Sequence, residues 1–239
     1  MTIRSLAAVL LGVACLVLAA RDASASIVSS GGSIAIQTAP SGTLTNDTLE
    51  SSTLVRGWFE KTVTLTSNLS VSHQGSGTVS SNASANGGTI SSGTRLDSYL
   101  FHFDKVGSSN ATVSLTNSGG SLSVTFSTAI QGVFFSQSGL NGSDATFGPG
   151  GLTYSGANRG VEFGSENDNF TISSDLRTIT FNSLTVNGSK MDQVRVLVLG
   201  AVSTPEPGTW ALFGLGALGL AFHVRSRRRA ARKPPACMA

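Results

Sequence analysis

The chain has 239 residues, of which 40% are hydrophobic, 7% aromatic and 12% charged, with 28 glycines and a formal net charge of +3. So few charges exclude a coiled coil and a charge-driven disordered chain, and the length accommodates one domain of roughly 100–200 residues plus accessory segments. The positive balance leaves no footprint for nucleic acid, because between Ser26 and Thr204 eight basic residues meet eleven acidic ones and the excess of Arg and Lys sits at the two ends.

Met1–Ala25 reads as a secretory signal peptide: Arg4 supplies the positive start, Leu6–Ala20 the apolar stretch, and Ala23 and Ala25 the small residues that signal peptidase requires, which places cleavage before Ser26. The 15-residue apolar run is short for a membrane span of about 20 residues, which argues against an uncleaved anchor. Cys15 lies inside this segment and Cys237 near the other end, so the stretch between them holds no disulfide, no Cys-ligated zinc and no cysteine nucleophile.

From Ser26 to Val202 the apolar residues alternate over short runs and no helical period stands out. Val63 and Leu65 share a face, as do Leu69 and Val71. Ser72–Gly93, rich in Ser and Gly, reads as a long exposed loop. Tyr99, Phe101 and Phe103 alternate with Leu100 and His102, and Leu122, Val124 and Phe126 with Ser123 and Thr125. Phe170 and Ile172 begin one run, Ile179 and Phe181 another. Gln193–Leu199 is nearly continuous in apolar residues, as in a strand covered on both faces. Turn signals such as Asn117-Ser118-Gly119-Gly120, Asn141-Gly142, Gly148-Pro149-Gly150-Gly151 and Asn187-Gly188 separate the runs. The expected fold of residues 26–202 is therefore an all-β antiparallel sandwich, jelly-roll-like, flanked by a signal helix and a C-terminal membrane helix.

Several side chains in this region could carry chemistry. Glu162, Glu166, Asp168 and Asp175 form an acidic stretch, and Glu166 and Asp168 offer the hard oxygen ligands that Ca²⁺ requires, without EF-hand spacing. Asp97, His102 and Asp104 lie in one strand segment, as strand-end carboxylates with a packed histidine or as metal ligands. Trp58, Tyr99 and Tyr154 are the aromatic candidates for stacking on a glycan, with Trp58 the one that composition favours as core. Glu60 and Glu162 are the acid/base pair by residue type if the domain hydrolyses glycosides. A Ser-His-Asp triad has little to draw on, since His73 and His102 are the histidines of the region and no G-x-S-x-G elbow is present.

The C-terminal segment, residues 203–239, has three parts. Pro205-Glu206-Pro207-Gly208 ends any preceding strand, because two prolines remove two amide donors. Residues 209–224 follow as an uncharged apolar run with Trp210 at one end and Gly214, Gly216 and Gly219 within it. Arg225, Arg227, Arg228 and Arg229 close it, and the positive-inside rule puts them in the cytoplasm and the preceding domain outside.

This order resembles the PEP-CTERM (VPEP) sorting signal of bacterial exported proteins, on Thr204-Pro205-Glu206-Pro207-Gly208-Thr209-Trp210-Ala211-Leu212, the glycine-spaced apolar run and Arg227-Arg228-Arg229. The same signal also carries the name of an ice-binding-protein C-terminal domain, which implies nothing about ice binding here. The resemblance implies an integral-membrane exosortase as partner, a transient membrane anchor, and removal or exchange of the tail in the manner of a GPI signal. Glu60–Thr66, Gly93–Asp104 and Asp192–Val196 are similar to the body of a recurring group of PEP-CTERM proteins with no assigned activity. The expected role is non-enzymatic: an exported protein of the cell surface or extracellular matrix that is structural, adhesive or polysaccharide-binding, with no required cofactor. A carbohydrate-active enzyme is the competing class.

Overall fold

The computed structural model describes residues 25–107 and 111–201 and, in the tail, residues 214–217, 219, 220, 223, 225 and 227. The body, Ala23–Ala201, is one compact unit. Its strands are, in order, β1 Ile27–Ser30, β2 Ile34–Ile36, β3 Gly42–Leu44, β4 Val55–Thr64, β5 Leu69–Val71, β6 Gly77–Val79, β7 Gly88–Ile90 and β8 Arg95–Phe103. They continue with β9 Thr112–Thr116, β10 Ser123–Phe126, β11 Ile130–Phe134, β12 Leu152–Tyr154, β13 Asn169–Ile172, β14 Thr178–Asn187 and β15 Asp192–Leu199. Among the described residues of the body one α-helix, α1, spans Gln137–Phe147 between β11 and β12, and a single 3₁₀ turn spans Asn82–Ser84.

Two sheets dominate. The first runs β1-β10-β14-β13-β6, with β9 also paired to β14; the second runs β11-β15-β8-β4-β2. The alternation along β8 explains how they meet. Tyr99, Phe101 and Phe103 point into one core together with Val194, Val196 and Val198 of β15 and with Phe126, Phe170, Ile179 and Phe181 of the first sheet. Rings from the two sheets touch there, Phe101 with Phe181 at 5.5 Å and Tyr99 with Phe126 at 5.1 Å between centroids. Gly57 on β4 makes the close packing possible, since a Cβ there would lie 2.7 Å from the Phe101 ring.

The other face of the second sheet is buried as well. Trp58, Leu96, Leu100 and Leu197 pack with Leu44 of β3, Val71 of β5, Ile90 of β7 and Leu140 and Phe147 of α1. A third layer of α1 and the small pairs β3–β12 and β5–β7 thus covers a sheet that is apolar on both sides, in line with the near-continuous apolar run of β15.

Three features depart from expectation. The pairing is mixed, because β2 runs parallel to β4 and β3 parallel to β12. α1 forms where a turn was expected at Asn141-Gly142. Its buried residues Leu140, Ser143 and Phe147 make a sparse stripe and its two glycines lower the propensity, so tertiary contacts hold it rather than local preference. Ser136 caps it, accepting from the Gly139 amide at 3.2 Å. Finally, Ser72–Gly93 is no open loop. It contains β6 and β7 and buries His73, Val79 and Ile90.

In the tail the described residues are helical and exposed, with Leu215 67% and Leu220 57% accessible. No helix among the described residues is long and apolar enough to cross a membrane. The span expected at about 209–224 falls largely outside them, as do Ala23, Pro205, Glu206, Pro207, Gly208, Arg228 and Arg229.

Candidate metal centre and sorting tail

Among the described residues of the body, two buried polar clusters differ in how their hydrogen bonds are met. The first lies between the second sheet and α1. Arg195 on β15, fully buried, donates to both carboxylate oxygens of Glu60 on β4 at 2.7 and 2.8 Å. It also donates to Asp144 at 2.9 Å and, on the helix, to the Leu140 carbonyl at 3.2 Å and the Ser143 hydroxyl. Ser98 and Tyr154 donate to the same Glu60. Arg159, equally buried, bonds Asp144 and Gln193 and lies 4.9 Å over the Tyr154 ring. Two guanidinium groups face two carboxylates, and every oxygen of Glu60 has a donor. Such closure fits a structural clamp that holds α1 on the sheet.

His102 extends this cluster. The Thr48 carbonyl can only accept, so Nε2 donates to it at 3.1 Å; the Gln193 amide donates to Nδ1 at 3.1 Å. Burial, opposed by the Thr48 bond and aided by Arg56 and Arg159, holds the imidazole at a pKa of about 4. The unfolded chain binds this proton near pH 6.5, so the contribution of neutral His102 is present above that pH and lost as pH falls through about 4, on the order of 3 kcal/mol. Asp104, raised to about 6 mainly by burial, has the opposite sign, its contribution being lost as pH rises through that value. A per-residue readout separates the two: the His102 ring resonances are expected to stay those of the Nε2–H tautomer from pH 8 to pH 5, and titration near pH 6.5 would contradict the buried hydrogen bonds.

The second cluster is acidic. Glu162, Glu166, Asp168 and Asp192 bring one carboxylate oxygen each to within 4.8 Å of one another. The loop before β13 supplies the first three, with Asn167 in the left-handed region at φ 60°, and β15 supplies Asp192 at its first residue. Asp168 is locked in place, accepting from the Thr185 amide of β14 at 2.7 Å and the Glu162 amide at 2.8 Å. Lys190 reaches Glu166 at 2.9 Å and Glu162 at 4.0 Å. Four carboxylates therefore face one ammonium.

Hydrogen bonding in this cluster is incomplete. Glu162 Oε2, Glu166 Oε2 and both oxygens of Asp192 are buried without a partner. Asp192 is 2% exposed, and the Thr185 amide beside it is taken by Asp168. Burial, with repulsion from Asp168, Glu162 and Glu166, raises Asp192 well above the carboxylate range. Burial likewise raises Glu162 to about 7 and Asp168 to about 6. Glu166 and Asp168, the Ca²⁺ candidates of the sequence, lie in this cluster. Asp175 does not: it is exposed and bonded to Ser173 and the Arg177 amide. Asp192 is the member that sequence reasoning missed, and its only signal was a carboxylate opening an otherwise apolar run.

The remaining candidates are dispersed. Trp58 is 0% and Tyr99 4% exposed, on opposite faces of the second sheet, so the expectation of glycan stacking on these two rings is corrected: both are core. Tyr154 is half-buried with its hydroxyl on Glu60. Glu60 and Glu162 share no hydrogen-bond or ion-pair partner among the described residues. Asp97 accepts from Thr62 and from the amide of Ala25, and Asp104 from the amide of Asp47, so neither joins His102 in a metal site. Ala25, at the expected cleavage point, is itself 3% exposed, and its carbonyl accepts from the Tyr99 hydroxyl.

Comparison with known proteins bears on the tail alone. Residues 203–229 match the family model of the PEP-CTERM protein-sorting motif. No curated protein and no solved structure matches the chain. The motif marks a protein that is exported, processed by an exosortase and sorted to the cell surface.

Proposed function

We propose that this PEP-CTERM-bearing protein is a non-enzymatic component of the cell surface or extracellular matrix, whose body serves a structural, adhesive or glycan-binding role after the tail has been removed or exchanged. The match at residues 203–229 is the observation that carries this reading. The membrane anchor is a transient intermediate, with the basic residues retained on the cytoplasmic side. The body adds support as a sandwich in which the two large sheets enclose one core, with jelly-roll character at most in outline since some pairings are parallel. A glycoside hydrolase using Glu60 and Glu162 gains nothing from the geometry, because Glu60 is sealed by Arg195, Ser98 and Tyr154 while Glu162 belongs to the acidic cluster. Any glycan surface would have to use groups other than Trp58 and Tyr99.

The test is expression of the full chain in a host with and without an exosortase, followed by intact-mass analysis of the exported protein. Loss of the segment through Arg229 only where the exosortase is present is expected, together with an N-terminus at Ser26. A tail retained in both hosts would refute the processing. The same exported form on a glycan array tests one of the roles: a specific glycan signal supports glycan binding, and its absence counts against it.

A further inference from the structure

We propose that Glu162, Glu166, Asp168 and Asp192 form a Ca²⁺ site that ties the two large sheets together at one end of the body. Crowded carboxylates on a surface need no ion. Here, though, Asp192 is almost wholly buried, both of its oxygens lack a hydrogen-bond donor, and they face three further carboxylates. An unpaired buried carboxylate costs several kcal/mol unless a cation or a proton compensates it. Lys190 acts on Asp192 only at a distance, since its ammonium pairs with Glu166 and Glu162 and lies at the half-exposed rim.

The donor set selects the metal. Oxygen ligands alone, with no His or Cys among them, disfavour the soft and borderline transition metals and point to a hard cation. Calcium–oxygen distances of about 2.3–2.6 Å allow ligands on opposite sides of the ion to stand about 4.6–5.2 Å apart, whereas Mg²⁺, at about 2.0–2.1 Å, needs about 4.0–4.2 Å. Four oxygens that all lie within 4.8 Å of one another fall inside the span of a Ca²⁺ coordination shell. Each of the four carboxylates would supply one oxygen, Asp168 while still holding its two amides, and water would complete the shell on the Glu162 side, where the side chain is 27% exposed.

The site's position gives it a task. Asp192 belongs to β15 of the second sheet, Asp168 is fastened to β14 of the first, and Glu162 and Glu166 lie in the loop entering β13. One ion therefore joins both sheets in a region that contains no cysteine to do so covalently. Because the protein is exported, the site meets extracellular calcium, and a Kd of about 10⁻⁴–10⁻³ M, the range of extracellular calcium modules, is enough to load it there. The staple would then close after export.

Titration calorimetry and thermal melts on the full chain, stripped with chelator, test this. CaCl₂ is expected to bind at one site per chain and, at about a hundred times its Kd, to raise Tm by about 5–10 °C, with MgCl₂ at least tenfold weaker. Asp192→Asn is expected to abolish both the heat and the shift while melting no lower than the stripped wild type, because the amide is uncharged and donates to the carboxylates around it; that separates loss of the site from loss of the fold. Asp175→Asn, outside the cluster, should retain the full shift. The proposal is overturned by absence of binding up to 10 mM CaCl₂ on the order of ten times the weakest Kd in that range, by an unaltered calcium shift in Asp192→Asn, or by Mg²⁺ binding as tightly as Ca²⁺.

Discussion

Replacing Arg195 by methionine is expected to destabilise the body by about 3–5 kcal/mol, a large part of the roughly 5–15 kcal/mol that holds a domain of this size. Methionine fills much of the space but donates nothing. Glu60, with a side chain 0% exposed, would lose the guanidinium that bonds both of its oxygens and would stay buried with only Ser98 and Tyr154 as donors. α1 would lose its donor to the Leu140 carbonyl and the Ser143 hydroxyl. Urea unfolding should therefore show a lower midpoint at unchanged slope, and hydrogen exchange in α1 should accelerate more than in β8. Combining Arg195→Met with Glu60→Leu should recover much of the loss, because no charge is then stranded and Asp144 still pairs with Arg159. A single-variant cost below about 1 kcal/mol, or a double variant worse than the single, would show that the pair is not what fastens the helix.

That pair also shows where the sequence stops being readable. Some strands were legible from their patterns and others, such as β9 and β11, were not: β8 and β15 follow from alternating and continuous apolar runs, because a pleated strand sorts neighbouring side chains to opposite faces. Arg195 interrupts the β15 run, and its partner Glu60 lies 135 residues away, a separation that no local pattern reports. α1 was hidden for a related reason. Its stripe is sparse, and part of what holds it is the same distant arginine. The parallel pairs of β2 with β4 and β3 with β12 depend on register between short segments, which three-residue strands encode weakly.

The acidic site was half legible. Glu166 and Asp168 are close in sequence, so their shared chemistry could be read from the chain, whereas Asp192 joins them only because β13 and β14 of one sheet meet the start of β15 of the other. The missing oxygen donors decide the matter, and they exist only in the folded arrangement. The satisfied Arg195 cluster and the unsatisfied Asp192 cluster are both built around Asp and Glu carboxylates. Hydrogen-bond accounting separates a clamp from a binding site; composition does not.

Trp58 allows a sharp test of how far aromatic residues in a secreted β domain can be read as ligand platforms. It is fully buried against Leu96, Leu100 and Leu197, with the His102 ring 6.3 Å away, and its indole Nε1 has no hydrogen-bond partner. Trp58→Ala should therefore open a cavity in the layer between the second sheet and α1 and cost about 3–5 kcal/mol. Trp58→Phe keeps most of the apolar contact and, with no indole bond to lose, should cost under about 1.5 kcal/mol. A surface stacking residue would give the reverse pattern, in which truncation to alanine leaves the urea midpoint within about 0.5 kcal/mol of wild type and only glycan binding falls. If the alanine variant proves that mild, Trp58 is not core and the packing of β4 against the third layer is wrong. With the expected large gap between alanine and phenylalanine, the ring's contribution is volume, and a search for glycan contacts belongs on exposed positions such as Phe59, which is 39% accessible on the same strand.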